Sequence, residues 1–176
     1  MRAVVQRVRE ASVRVLPVGA GAHGTAPVGA TADGAAPEGL SPPEGQLVGS
    51  IGPGLLVLVA IAPGDGPAQV DWMAGRIAHL RIFADAAGKM NHSLLDLGLG
   101  ALVVSQFTLY ADCSRGRRPD FFGAAPPGVA EPLYLQLCDR LHSLGVQRVQ
   151  RGVFGAHMQV QLLNDGPVTL LLDSPP

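Results

Sequence analysis

The residues best suited to chemistry form a short polar segment, Ser105-Gln106-Phe107-Thr108-Leu109, directly after the apolar run 101–104. A hydroxyl at such a strand end could act as a nucleophile, and the strand end also presents backbone N–H groups that can bind an oxyanion. A structural role is the alternative, because hydroxyl and amide side chains commonly satisfy backbone groups where a strand ends. A nucleophilic hydroxyl needs a positioned base, and no histidine stands in a recognisable sequence relation to Ser105 or Thr108. The segment indicates a site and leaves the choice between side-chain and backbone chemistry open.

A second candidate lies near the C-terminus, where Asn164-Asp165-Gly166-Pro167-Val168-Thr169 separates two apolar stretches. Proline has no N–H to donate to a sheet, and glycine permits backbone angles closed to other residues, so Gly166-Pro167 interrupts a strand. Two interpretations remain: a turn between strands, which such dipeptides often mark, or a rigid backbone element that faces a ligand. The dipeptide taken alone favours the turn.

Three arginines, Arg115, Arg117 and Arg118, lie in a glycine-containing loop before Pro119. Guanidinium groups this close repel one another unless anions come between them, so the loop is either solvated or binds phosphate. The chain has 13 Lys and Arg against 14 Asp and Glu, a formal net charge of −1, which gives no general attraction to nucleic acid. Any contact with phosphate therefore depends on this local patch.

The sequence gives no sign of a metal or cofactor site. The five histidines show no metal-ligand spacing, and Cys113 and Cys138 are too few and too far apart for a zinc site or a disulfide framework. We expect no metal, no cofactor and reduced thiols.

Length and composition indicate one domain. The chain has 176 residues, of which 47% are apolar and 15% charged, and no apolar run approaches the roughly 20 residues that cross a bilayer. Residues 1–7 meet polar side chains at once, unlike a signal peptide. We expect a single cytoplasmic domain over residues 1–176 with no membrane partner.

Apolar periodicity predicts the strands that hold the polar segments. Alternation over 11–15 indicates an opening strand, and the apolar runs 55–62 and 101–105 indicate buried strands. Further strands are predicted at 82–83, 149–153, 158–162 and 168–172. Residues 16–46 lack periodicity and almost all large apolar side chains, and we interpret them as a flexible insertion between the first two strands.

The 3.6-residue period predicts two main helices. The first carries apolar residues at positions 70, 73, 77 and 80. The second begins at Glu131-Pro132, carries leucines at positions 133, 137, 141 and 144, and is capped by Gly145. Because the strands follow one another with few helices between them, the pattern favours an α+β fold with an antiparallel, barrel-like sheet.

Three segments in this order resemble the D-aminoacyl-tRNA deacylases: Ser105-Gln106-Phe107-Thr108-Leu109, Phe154-Gly155-Ala156-His157-Met158 and Asn164-Asp165-Gly166-Pro167-Val168-Thr169. Residues 1–8, 88–91, 116–119 and 124–127 also look like that family. The resemblance therefore covers nearly the whole chain apart from the insertion at 16–46.

The resemblance implies a homodimeric, barrel-like fold and hydrolysis of the ester that joins a D-amino acid to the 3′-terminal adenosine of tRNA. It implies that Gly166-Pro167 is a cis peptide, inserted by each subunit into the active site of its partner, where main-chain oxygens exclude L side chains but admit glycine. Rigid backbone suits this task because it rejects every L residue whatever its side chain.

The resemblance also assigns roles to single residues. In the catalytic segment, backbone N–H groups near Phe107 bind the oxyanion and the tRNA 2′-OH supports the chemistry, with a nucleophilic Thr108 as the alternative. We therefore expect Ser105, Gln106, Phe107 and Thr108 to be the catalytic residues and Phe154, Met158 and Ala125 to bind the substrate. Arg115, Arg117 and Arg118 are the candidates for contact with tRNA phosphates.

Two other functions remain open at this point. A non-catalytic RNA-end-binding module would keep the fold without turnover, and a serine hydrolase would use Ser105 as its nucleophile. The chain lacks the Gly-x-Ser-x-Gly elbow around Ser105, which disfavours the serine hydrolase.

Overall fold

The computed structural model describes residues 1–17 and 45–176, and within them the chain forms eight β-strands, three α-helices and one 3-10 helix. The strands are β1 Arg2–Val15, β2 Gln46–Ile51, β3 Gly54–Ala60, β4 Phe83–Ala84, β5 Met90–His92, β6 Gly100–Ser105, β7 Arg148–Arg151 and β8 Met158–Asp173. The helices are α1 Pro67–His79, α2 Leu94–Leu97 and α3 Pro127–Ser143, and the 3-10 helix spans Phe107–Tyr110. Most of the predicted insertion at 16–46 lies outside the described residues, and Gln46 already belongs to β2.

Strand β1 organises the main sheet because it has partners on both edges. Its first half pairs antiparallel with β3 and its second half with β2. Along the opposite edge it pairs antiparallel with β8 over nearly its whole length. The barrel-like curvature follows from this arrangement, since β7 at the far end of the sheet comes back towards β2, where Gly49 lies beside the carbonyl of Arg151.

The sheet is mixed, and the prediction of a purely antiparallel sheet is wrong. Strand β3 pairs parallel with β6, and β6 pairs parallel with β7. Each parallel pair needs a long crossover, and the chain provides one with α1 and another with α3. The continuous apolar runs of β3 and β6 could have indicated parallel strands, because a strand covered on both faces does not alternate between apolar and polar residues.

Two apolar clusters cover the two faces of β3 and β6. Leu55 and Val103 face the larger cluster, which includes α1 and α3, whereas Leu56 and Leu102 face a smaller cluster inside the curved sheet. These four side chains are almost completely buried. The parallel strands are therefore covered on both faces, and their C-terminal ends are well suited to carry a site.

The helices agree with the predicted stripes but not with every boundary. Helix α1 buries Val70, Met73 and Ile77 as expected. Helix α3 begins at Pro127 and not at Glu131, so Pro132 lies inside it. Proline at the first helical position fits equally well at Pro127, which is why the sequence did not distinguish the two starts.

One short helix, α2, was not predicted. Ser93 caps it, since its hydroxyl accepts from the Asp96 N–H while the Asp96 carboxylate accepts from the Ser93 N–H. This reciprocal cap stabilises a single turn that is too short to show an apolar period. The fold therefore has three α-helices in its described part, one more than expected.

Candidate active site

A cavity of about 360 Å³ opens where the parallel strands β3 and β6 end. Fourteen residues line it: Val59, Ala60, Ile61, Ser105, Gln106, Phe107, Phe121, Ala124, Ala125, Pro127, Ala130, Tyr134, Phe154 and Gly155. None of them is Asp, Glu, Lys, Arg, His or Cys. The cavity is therefore an apolar chamber with a few neutral polar groups at its edge.

The predicted catalytic segment forms one edge of this cavity. The Gln106 N–H donates to the carbonyl of Val59 at 2.8 Å, which fixes the point where the chain leaves β6 and turns into the 3-10 helix. The Gln106 side-chain amide donates to Thr108 Oγ1 at 2.5 Å. Ser105, Gln106 and Phe107 line the cavity, and Thr108 lies just outside the lining.

Two backbone N–H groups in this segment have no acceptor among the described residues. The N–H groups of Phe107 and Thr108 begin the 3-10 helix, where no preceding turn supplies carbonyls. The next N–H, that of Leu109, already donates to Gln106 at 3.2 Å. Two adjacent free donors at the edge of an apolar chamber can stabilise a negatively charged oxygen.

A second edge comes from the segment before α3. The Ala125 N–H donates to the carbonyl of Ile61 at 2.8 Å, which ties this segment to the end of β3. Phe121 meets Phe107 edge to face, with ring centroids 5.1 Å apart. The predicted substrate-binding residue Ala125 is buried and lines the cavity.

Tyr134 forms the floor and was missed by the sequence analysis. Its ring lies 6.0 Å from that of Phe154. Its single hydroxyl proton is shared between the carbonyl oxygens of Val103 at 2.9 Å and Gly152 at 3.2 Å. Burial is the main cause that raises the pKa of Tyr134, so the hydroxyl stays protonated. Its place on the buried stripe of α3, three residues before Leu137, was the available signal.

The predicted substrate-binding residues are only partly brought together. Phe154 and Ala125 line the cavity, but Met158 does not. Met158 begins β8 and packs against the smaller apolar cluster, where its sulfur occupies the space beside Gly152 that a Cβ would fill.

The three predicted phosphate-binding arginines lie on an exposed loop beside the cavity. Asp112 and Asp120 close this loop through two backbone hydrogen bonds of 2.9 and 3.1 Å. Arg115, Arg117 and Arg118 are exposed and make no salt bridge to a described residue. They are free to meet an anion that approaches the cavity from this side.

Gly166 and Pro167 form a bulge inside one continuous strand, β8, and not a turn between two strands. Val8 pairs with Asn164 and Gln6 with Thr169, so residues 165–168 stand opposite a single residue of β1. Both Gly166 and Pro167 are exposed, and the peptide between them is cis, as the resemblance implied. Neither residue lines the cavity of the same chain.

Charged and polar side chains hold this bulge. Arg7, opposite the bulge, donates to the carbonyls of Asp165 at 2.8 Å and of Ile82. Arg9 contacts the Asp165 carboxylate at 3.0 Å. The Asn164 side chain spans the bulge, accepting from the Val168 N–H and donating to the Val168 carbonyl, both at 3.1 Å.

The described residues contain no cluster of three or more His, Cys, Asp or Glu side chains able to hold a metal ion. Both cysteines are free, Cys113 at the surface and Cys138 in the interior. A search of the same residues finds no helix with the length and apolarity needed to span a membrane.

The chain is similar to known proteins over nearly its whole length. A family model described as D-Tyr-tRNA(Tyr) deacylase matches residues 4–173. A D-aminoacyl-tRNA deacylase of Thermomicrobium roseum is 51% identical over 174 residues, which cover 99% of this chain and 94% of that one. The corresponding protein of Prosthecochloris aestuarii is 48% identical over 175 residues, covering 99% of this chain and 100% of its own.

Two solved structures share the fold. One, described as the c-Myc DNA Unwinding Element Binding Protein, is 35% identical with a TM-score of 0.79 and full coverage of both chains. The other, described as a probable eukaryotic D-amino acid tRNA deacylase, is 17% identical with a TM-score of 0.73 and covers 97% of each chain. The second supports the fold alone.

Proposed function

The chain belongs to the D-Tyr-tRNA(Tyr) deacylase family, and we propose that it hydrolyses the ester bond of D-aminoacyl-tRNA to free tRNA and a D-amino acid. It is a hydrolase that acts on a carboxylic ester bond. One observation supports this proposal most: an apolar cavity without ionisable side chains other than Tyr134 meets two free backbone N–H groups at its edge. Such a site suits a neutral ester whose carbonyl oxygen gains charge during hydrolysis.

The terminal adenosine of tRNA occupies the apolar part of the cavity in this proposal. Phe154 offers a ring face for the base, and Ala125 leaves room for it. Met158 does not line the cavity and acts only indirectly, through its packing beside Gly152. This placement brings the ester at the ribose towards Phe107 and Thr108.

The reaction proceeds by attack of water on the ester carbonyl carbon. The carbonyl oxygen takes the negative charge and accepts hydrogen bonds from the N–H groups of Phe107 and Thr108. Collapse of this intermediate breaks the bond to the ribose 3′ oxygen, which takes up the proton released by the water. The tRNA 2′-OH passes that proton from the water to the 3′ oxygen, because no lining side chain is a base at neutral pH.

Thr108 has no role as nucleophile in this scheme. Its Oγ1 is already held by the Gln106 side-chain amide, and neither residue has a histidine or carboxylate as hydrogen-bond partner among the described residues. Gln106 orders the segment, and Ser105 forms the cavity wall where β6 ends.

Gly166 and Pro167 act as the chirality filter of a second copy of the chain. Their exposure and their absence from the lining of their own cavity support an action on a partner, which makes the active unit a homodimer with cross-subunit sites. The main-chain oxygens of Gly166 and Pro167 would meet the side chain of an L residue and leave a D residue free. Arg7 and Asn164 hold the backbone on either side of them, through the carbonyls of Asp165 and Val168. Glycine has no side chain to exclude, so glycyl-tRNA is also a substrate.

Arg115, Arg117 and Arg118 contact phosphates of the tRNA that leads to the cavity. Their exposure and lack of described ion-pair partners support this role. The substrate places the reaction in the cytoplasm.

The test is to incubate the purified protein with D-tyrosyl-, L-tyrosyl- and glycyl-tRNA. Hydrolysis is measured as the release of the labelled amino acid. We expect turnover of the D and glycyl esters and an intact L ester. Equal hydrolysis of D and L esters would refute the filter. Binding of tRNA without hydrolysis of any ester would refute the enzymatic proposal and identify an RNA-end-binding protein.

A further inference from the structure

Phe122 is the most exposed large apolar side chain in the described part of the chain, with 90% of its surface accessible. It does not line the cavity, but its neighbour Phe121 does, and Phe121 packs against Phe107. Three phenylalanines therefore lead from the cavity edge outwards, and the described residues leave the outermost ring almost uncovered.

Cations lie next to this aromatic row. The loop that carries Arg115, Arg117 and Arg118 closes at the Asp112–Asp120 bridge, two residues before Phe122. The Phe122 N–H donates to the Asp120 carboxylate at 3.3 Å, which fixes the backbone under the ring. The carboxylates at the base, Asp112 and Asp120, are each engaged by backbone N–H groups.

Next to the base of its loop, Phe122 thus combines an exposed aromatic ring with arginines that have no ion-pair partner among the described residues. Proteins hold single-stranded nucleic acid with this combination, because bases stack on the ring and phosphates meet the cations. A protein partner is disfavoured because the arginines would need acidic groups opposite them. Charge complementarity therefore selects a polyanion that also has flat apolar faces.

We propose that Phe122 stacks on the base of the penultimate nucleotide of the tRNA, directly before the terminal adenosine. The inference rests on the proposed function, which places that adenosine in the cavity. Phe122 then holds the single-stranded end in register, so that the ester enters the cavity at a fixed depth. It is a binding residue and takes no part in bond breaking.

The test is a thermodynamic cycle that combines Phe122→Ala with removal of one base. The RNA is an uncharged hairpin with a four-nucleotide unpaired 3′ end, either complete or abasic at the penultimate position, and its affinity is measured at fixed salt. Stacking predicts that each change alone weakens binding about 10-fold and that both together weaken it no further. Independent, multiplicative losses would overturn the proposal.

Conservative variants separate stacking from simple apolar cover. Phe122→Trp should retain the affinity, whereas Phe122→Leu should lose it. Leu97→Ala removes another exposed apolar side chain, on α2, and should leave RNA affinity unchanged. Equal RNA binding by the Leu and Phe proteins would overturn stacking, and dissociation of an oligomer on Phe122→Ala in sedimentation would show that the ring contacts protein instead.

Catalysis gives an independent readout. Phe122→Ala should lower kcat/KM for D-tyrosyl-tRNA about 10-fold and leave hydrolysis of 3′-O-(D-tyrosyl)adenosine unchanged, because that small ester lacks the penultimate base. An equal loss on both esters would overturn the proposal. The binding cycle needs no turnover, so failure of the enzymatic proposal is distinguishable from failure of this one.

Discussion

The cavity beside Phe107 and the bulge at Gly166 differ in what holds them in place. Buried apolar side chains and the ends of two parallel strands form the cavity, and its only buried hydroxyl, on Tyr134, is satisfied by two carbonyls. The bulge is exposed and depends on Arg7, Arg9 and Asn164. Packing makes a chamber of fixed shape, whereas directional hydrogen bonds can hold a few exposed backbone atoms without covering them.

This difference predicts that substitutions in the two regions impair different properties of the protein. Changes in the cavity should remove turnover of every substrate, and changes at the bulge should alter the choice between substrates. The predictions below test that separation, beginning with the largest expected effect.

Filling the cavity should abolish hydrolysis. Ala125→Phe places a ring in the space assigned to the adenosine, and we expect kcat/KM for D-tyrosyl-tRNA to fall by at least roughly 100-fold. Ala68→Phe adds the same ring on the exposed surface of α1 and should be near wild type. Steady-state deacylation measures the activity of both variants, and circular dichroism checks that they fold. An active, folded Ala125→Phe protein would show that the cavity does not bind the substrate.

Loosening the bulge should relax chirality and spare turnover. Arg7→Met removes the donor to the Asp165 and Ile82 carbonyls, a loss of about 1.5–3 kcal/mol for each such charged hydrogen bond. We expect the ratio of D to L hydrolysis to fall about 10-fold, since roughly 1.4 kcal/mol of lost discrimination suffices. Arg14→Met, which removes a bond to the Gly45 carbonyl from the same strand, is the matched control.

A glycine substitution tests the same bulge without removing a charge. A Cβ at Gly166 would overlap the backbone nitrogen and side chain of Val168, so Gly166→Ala must displace the bulge. L-tyrosyl-tRNA should then be hydrolysed, while Gly75→Ala, at a position with open space, should keep the L ester intact. If the Gly166→Ala protein still rejects the L ester, the position of this bulge does not set chirality.

Removing the Thr108 hydroxyl should have little effect on turnover. Thr108→Ala deletes the acceptor of the Gln106 side chain and keeps both free N–H groups, so we expect kcat for D-tyrosyl-tRNA to stay within about 3-fold of wild type. Single-turnover kinetics measure this directly. Loss of nearly all turnover in a folded variant would restore Thr108 as the nucleophile and would place side-chain chemistry at the cavity edge.

The smallest expected effect is on the stability of the folded protein at alkaline pH, through the buried thiol of Cys138. Burial raises the pKa of Cys138 to about 11, so the folded protein keeps this thiol neutral where the unfolded chain ionises it. The resulting stabilisation is complete below the unfolded pKa and declines as pH rises towards 11, by at most about 1.4 kcal/mol per pH unit. Cys138→Ala should flatten the fall of Tm between pH 9 and 11; an unchanged slope would show that the thiol does not contribute.

Local patterns predicted most of the elements, because burial leaves a period in the sequence. The stripe at Val70, Met73 and Ile77 gave α1, and the apolar runs gave β3 and β6. These patterns did not predict which strands are parallel and which antiparallel, since the pairing depends on where the crossovers pass in space. Tyr134 was missed because its helix stripe shows burial but not which carbonyls its hydroxyl meets.

The sequence by itself determined the family and singled out the segment 105–109 and the Gly166–Pro167 element as candidates, because these are runs of neighbouring residues that can be recognised without the fold. Only the tertiary structure decided that the segment at Phe107 and the ring of Phe154 border one cavity, and that the bulge lies outside it in the same chain. It also decided that Arg7 holds the bulge across 158 positions of sequence. Such relations depend on how strands pair and curve, and no single stretch of sequence encodes them.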